Sequence, residues 1–69
     1  MSALDSLYQD LNRVNHEIQS TKELKRLASD RSSRDSYQTQ LDNLYEYKRH
    51  IQERIRAIKE ELRSSKNRY

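Results

Sequence analysis

The sequence lacks the residues that normally turn or end secondary structure. Its 69 residues include no glycine and no proline. A protein made of short β-strands needs turn residues about every ten positions, and these are usually Gly, Pro, Asn or Asp. Long helices need none of them. The sequence therefore predicts an all-α fold, in one domain covering residues 1–69.

Apolar residues are also scarce. Leu, Ile, Val and Phe together number 13 of 69, close to the level of about 20% below which chains tend to be disordered. The net charge is only +3, however, with 14 basic and 11 acidic residues, and compositional disorder usually requires a large net charge as well. We expect either a helical assembly with a thin core or a segment that folds on binding.

No stretch approaches the 18 or so apolar residues of a membrane span. The N-terminal segment carries Asp5 and Asp10 and has no apolar run, unlike a signal or transit peptide. The sequence therefore predicts a cytoplasmic protein without membrane contact.

The first apolar series lies at helical spacing in the N-terminal part of the chain. Its members are separated by three and four residues in turn, as on one face of a helix. Ser2 is suited to cap its start, with Asp5 three residues later. We predict a first helix over residues 3–28.

The second series is longer. From Tyr37 to Leu62 its members are spaced four and three apart, with Lys48 inside the series, and this is the seam of a coiled coil. We predict a second helix over residues 35–67.

A break separates the two helices. Residues 29–36 contain no apolar side chain, and the two series differ in phase by two residues across them. A continuous coiled coil that contains an insertion shifts its heptad phase by three or four residues instead. The sequence therefore predicts a connection over residues 29–34, with Ser32 or Ser33 capping the second helix, and an antiparallel two-helix hairpin. The alternative is one bent helix through the whole chain.

Two registers of the hairpin bring seam against seam. The first pairs Leu4 with Ile58, turns near Arg31 and leaves the residues after Leu62 uncovered. The second pairs Leu7 with Leu62 and turns about one helical turn later. Flanking charges do not distinguish them, and we prefer the second because it buries more apolar surface.

A hairpin of this size gains too little from its seam to offset the cost of ordering the chain. Tyrosines beside the seams widen the apolar face to about three positions in seven, which suits a bundle of more than two helices. We therefore expect self-association or docking with the helices of a larger complex. The predicted packing and partner interface consists of Leu4, Leu7, Tyr8, Leu11, Val14, Ile18, Leu24, Leu27, Tyr37, Leu41, Leu44, Tyr45, Ile51, Ile55, Ile58 and Leu62.

Sites for chemistry are not indicated. His16 and His50 lie off the seams and have no cysteine or second ligand at the spacing of a zinc site. Gly-rich phosphate loops are impossible without glycine, and a thin hairpin has no pocket of its own. The sequence predicts no catalytic residue, metal, cofactor or small-molecule ligand, and no enzyme activity.

Basic residues support a second interpretation. Arg49, Glu53, Arg56, Glu60 and Arg63 form a stripe of alternating charge, which favours a solvent-facing ladder of ion pairs. Cations outside this stripe are candidates for contacts with nucleic-acid phosphates. They are Lys25, Arg26, Arg31, Arg34, Lys66 and Arg68.

The function expected from these patterns is a non-enzymatic protein–protein interaction or assembly module, an adaptor or accessory subunit that acts through its helix seams. The alternative is a small basic hairpin regulator that binds RNA or DNA.

Overall fold

The computed structural model describes residues 2–66, with the side chains of residues 2–64. Two helices, α1 (Ala3–Leu27) and α2 (Arg31–Lys66), pack against each other. The molecule is elongated, 60 × 18 × 12 Å. The expected all-α hairpin is therefore present. Neither helix is long and apolar enough, over residues 2–66, to cross a membrane.

The start of α1 follows the sequence. The Ser2 hydroxyl accepts a hydrogen bond of 3.2 Å from the backbone N–H of Asp5, which satisfies one of the unpaired donors of the first turn. The Asp5 carboxylate lies in that turn, near the positive end of the helix dipole. The predicted Ser2 cap is confirmed.

The turn between the helices is shorter than expected and uses a different cap. The Asp30 carboxylate accepts a hydrogen bond of 3.1 Å from the backbone N–H of Ser33, and the Asp30 carbonyl accepts one of 3.2 Å from that of Arg34. The connection therefore covers residues 28–30, not 29–34, and α2 begins four residues before the predicted start. Ser32 and Ser33 lie inside the helix, because Asp30 already satisfies the donors of its first turn.

Two side chains tie the start of α2 to the end of α1. Arg34 donates through Nε to the carbonyl oxygen of Ala28, at 3.1 Å. Lys25 donates through Nζ to Oε1 of Gln38. No residue between 2 and 66 has a positive φ angle, so the chain reverses without the backbone conformation that favours glycine.

The seams of the two helices face each other and form the core. Thr21 is also buried there, and its hydroxyl donates to the Glu17 carbonyl at 2.8 Å, so its polar atom remains paired. Leu4, Leu7, Leu11 and Leu44 are partly buried against this cluster. The fully buried apolar residues are Val14, Ile18, Leu41, Ile51 and Ile55.

The preferred register is wrong. Leu62, which it paired with Leu7, is 55% exposed, whereas Leu7 packs against the core. α2 has 36 residues and α1 has 25, so α2 is longer by about 16 Å at 1.5 Å per residue. The early turn therefore leaves the far end of α2 uncovered, as in the first register.

Candidate protein-binding surface

The core does not take up all the large apolar residues. In the part of the chain whose side chains are described, six of them are 40% exposed or more: Tyr8, Leu24, Leu27, Tyr45, Tyr47 and Leu62. Five of the six belong to the predicted partner interface. Tyr47 does not, although it directly precedes the seam position of Lys48. The seam residues therefore divide between the inside of the hairpin and its surface.

Two exposed tyrosines are held by lysines of the opposite helix. The Lys59 ammonium lies 5.5 Å from the centre of the Tyr8 ring. The Lys22 ammonium lies 5.8 Å from the centre of the Tyr45 ring. Both distances suit a cation–π interaction, and each pair links α1 to α2. We call the side of the hairpin that carries these pairs the cation–π face.

A groove of about 540 Å³ runs between the helices. Leu24 follows Thr21 by three residues and Tyr47 follows Leu44 by three, so each extends a groove-lining stripe by one helical turn. We call this side of the hairpin, with Leu24 and Tyr47, the groove face. The groove is lined by Arg13, His16, Glu17, Ser20, Thr21, Gln40, Asn43 and Leu44.

The two faces lie on different sides of α2. Tyr45 and Tyr47 are two residues apart, which is about 200° around a helix of 3.6 residues per turn. They are almost equally exposed, 42% and 46%. Within residues 2–66 a cation lies over the Tyr45 ring but none lies over the Tyr47 ring. Among the tyrosines that the structure describes, Tyr47 is thus the most exposed, and no cation lies over its ring.

The predicted ladder of ion pairs forms only at one end. Arg49 lies 4.0 Å from Glu53 and 3.0 Å from Glu46. In the described part of the chain no ion pair continues the ladder through Arg56 or Arg63. These two arginines line a smaller surface groove of about 360 Å³ together with Lys59 and Glu60.

Three of the cations predicted as nucleic-acid contacts are bound within the hairpin. Lys25 and Arg34 brace the turn. Arg26 pairs with Glu23, and this hydrogen-bonded ion pair lowers the pKa of the Glu23 carboxyl and raises that of the Arg26 guanidinium. Arg31 is exposed at the start of α2. The side chains of the other two candidates, Lys66 and Arg68, lie outside the described residues.

The histidines lie apart on the surface. His16 is exposed beside the groove, and Nε2 of His50 lies 3.6 Å from a carboxylate oxygen of Glu46. Over residues 2–66, the His, Asp and Glu side chains form no group of three that could hold a metal ion. No family model, curated protein or solved structure matches the chain.

Proposed function

We propose that this protein is a non-enzymatic assembly module whose groove face docks with helices of a partner protein. The observation that carries the proposal is the pair of half-exposed apolar residues, Leu24 at 48% and Tyr47 at 46%, beside an open groove between the helices. A groove with half-exposed apolar side chains near it suits the docking of an amphipathic helix, which lays its apolar face into such a groove.

The small size of the core supports the proposal of a partner. Among residues 2–64, five apolar residues are buried, because two helices lying side by side cover each other on one side only. The seams are already used inside the hairpin, so a partner has to bind the outer faces. Helices laid on the groove face would bury Leu24 and Tyr47 and complete a four-helix bundle.

RNA or DNA binding, the alternative function, has less support from the same contacts. Lys25, Arg26 and Arg34 already have partners within the chain. A regulator that binds nucleic acid would lose affinity steeply with salt, because phosphate contacts release counterions. Docking of apolar side chains responds little to salt.

A photo-crosslinking amino acid at position 47 tests the proposal. In cells that make the protein, it is expected to give a discrete adduct that proteases destroy and nucleases do not. The matched control carries the same amino acid at position 45, which has nearly the same exposure on the opposite face. Absence of a protein adduct at 47, or a nuclease-sensitive adduct, would contradict the proposal.

A further inference from the structure

The groove face fits one partner in particular. We infer that it is covered by the groove face of a second copy of this chain, so that two antiparallel hairpins form a four-helix bundle. The inference rests on the proposed function and names its partner.

The exposed area is the first argument. The chain exposes 5798 Å², whereas a compact folded protein of 8.4 kDa exposes about 4,600 Å². The excess is about 1,200 Å², and a stable protein–protein interface buries about 800 Å² per partner. Part of this excess lies on the uncovered far end of α2, but the excess is larger than the area that one partner buries, so the hairpin has enough surface to bind a second copy.

The shape of the face is the second argument. In a twofold dimer the same patch meets itself, so that patch must contain both the protruding and the receiving parts. The groove face offers both: a groove runs between the helices, and the half-exposed Leu24 and Tyr47 lie one helical turn beyond residues that line it. One copy's apolar side chains can thus enter the groove of the other.

Charge on the rim of the groove is complementary to itself. Arg13 and Glu17 both line it, one helical turn apart, and Arg13 also pairs with Asp10 of its own chain at 3.3 Å. When two α1 helices pack antiparallel with the twofold axis level with residue 15, each Arg13 lies opposite the Glu17 of the other copy. Lys25 contacts Gln38 and Lys22 contacts Tyr45, so residues whose numbers sum to 63–67 lie level in the hairpin. Tyr47 is then level with residues 16–20 of α1, within about 8 Å of the same axis at 1.5 Å per residue.

The direction of pairing follows from the charge along α2. Residues 49–66 contain six basic and three acidic residues. Their net charge of +3 is as large as the net charge of the whole chain. Parallel hairpins would place these two basic segments side by side, whereas antiparallel hairpins place them at opposite ends of the bundle. Repulsion between like charges therefore favours the antiparallel arrangement.

Sedimentation equilibrium tests the inference with two matched variants. The wild type is expected to have twice the chain mass of 8.4 kDa. Tyr47→Glu is expected to raise the dimer dissociation constant at least about 100-fold, because it places a charge in the apolar interface. Tyr45→Glu adds the same charge to the same helix and is expected to remain dimeric.

A cysteine variant keeps the test decisive if the Tyr47→Glu monomer does not fold. The chain has no cysteine of its own, so Tyr47→Cys can bridge only to a second copy, across the twofold axis. Under mild oxidation it is expected to form a disulfide-linked dimer quickly, and Tyr45→Cys slowly. Equal rates for the two variants would overturn the assignment of the face.

Two further results would overturn the inference of self-association and leave the proposed function unaffected. One is a folded wild-type monomer at about 100 µM, far above the level at which a micromolar dimer assembles. The other is a dimer that survives Tyr47→Glu and loses its stability with Tyr45→Glu. The proposed function fails separately, when a crosslinker at position 47 gives no protein adduct.

Discussion

The two faces of the hairpin both carry half-exposed tyrosines, but they differ in what contacts the rings. On the cation–π face, Tyr8 and Tyr45 each lie under a lysine of the opposite helix. On the groove face, Tyr47 and Leu24 are about half exposed beside an open groove. The exposed fraction of a tyrosine side chain alone therefore does not identify an interface. Tyrosines of similar exposure close the hairpin on one face and remain open to a partner on the other.

The largest effect on stability is expected from a substitution that unfolds the hairpin, because both faces depend on its fold. Ile55 is buried in the seam that holds them in place, and Ile55→Asp would cost several kcal/mol by burying an unpaired charge. That exceeds what a thin hairpin can lose, so the helical circular dichroism signal is expected to disappear. Gln52→Asp adds the same charge at an exposed position and should leave the signal unchanged. Wild-type helicity in Ile55→Asp would show that the seam is assigned wrongly.

The next effect concerns the groove face alone. If a second copy covers it, the melting temperature rises with protein concentration, because a partner at about 100 times its dissociation constant adds about 2.7 kcal/mol. Thermal melts over a wide concentration range measure this rise. Tyr45→Glu should keep it and Tyr47→Glu should lose it. A wild-type melt that is cooperative and independent of concentration would mean that the hairpin is stable alone.

A smaller effect is expected on the cation–π face. A double-mutant cycle with Tyr8→Leu and Lys59→Met should give a coupling energy of about 0.5–1 kcal/mol, the usual strength of an exposed cation–π pair. Tyr8→Leu combined with Lys22→Met is the control, since Lys22 lies over Tyr45 instead. Its coupling should be near zero. Equal coupling in both cycles would contradict specific pairing of these rings.

The smallest effect concerns the turn that both faces share. Hydrogen bonds from Ser33 hold the pKa of the Asp30 carboxyl below its ordinary value. The ionised cap therefore stabilises the fold at pH values above about 3.9, the ordinary pKa of Asp. This contribution is lost as the pH falls through the lowered pKa.

Asp30→Asn isolates this term, because asparagine caps a helix equally well and does not titrate there. The melting temperature of the wild type relative to the variant should fall as the solution is acidified. All other carboxylates cancel in this difference. A difference that stays constant from neutral to strongly acidic pH would show that ionisation of the Asp30 carboxyl does not stabilise the turn.

Much of the fold is predictable from the sequence because helical periodicity survives without turn residues. The helix α1, the Ser2 cap and all five buried apolar residues lie where we predicted them, whereas α2 is present but begins four residues before its predicted start. The register is not predictable in this way. The two candidate registers differ by one heptad, so they pair the same seam positions equally well. Only the start of α2 distinguishes them, and the serines and Asp30 are equally good caps.

The candidate surface is less predictable than the core. Spacing assigns Tyr45 and Leu62 to the seam region, but it does not show which of them the other helix reaches. Tyr47 is missed because it precedes a seam position and gains importance only from the groove beside it. The rest of the ion-pair ladder fails to form because side-chain conformation, not spacing, decides whether exposed charges meet.

Both faces exist only if the chain folds back on itself, and one distance tests that directly. Spin labels at the exposed positions Asn12 and Gln52 can be attached to introduced cysteines, since the chain has none, and diluted with unlabelled protein. The hairpin predicts a separation of about 10–20 Å, given helix axes about 8–10 Å apart. Forty residues of a continuous helix span about 60 Å. A single distance of that size would contradict the hairpin, and the groove face with it.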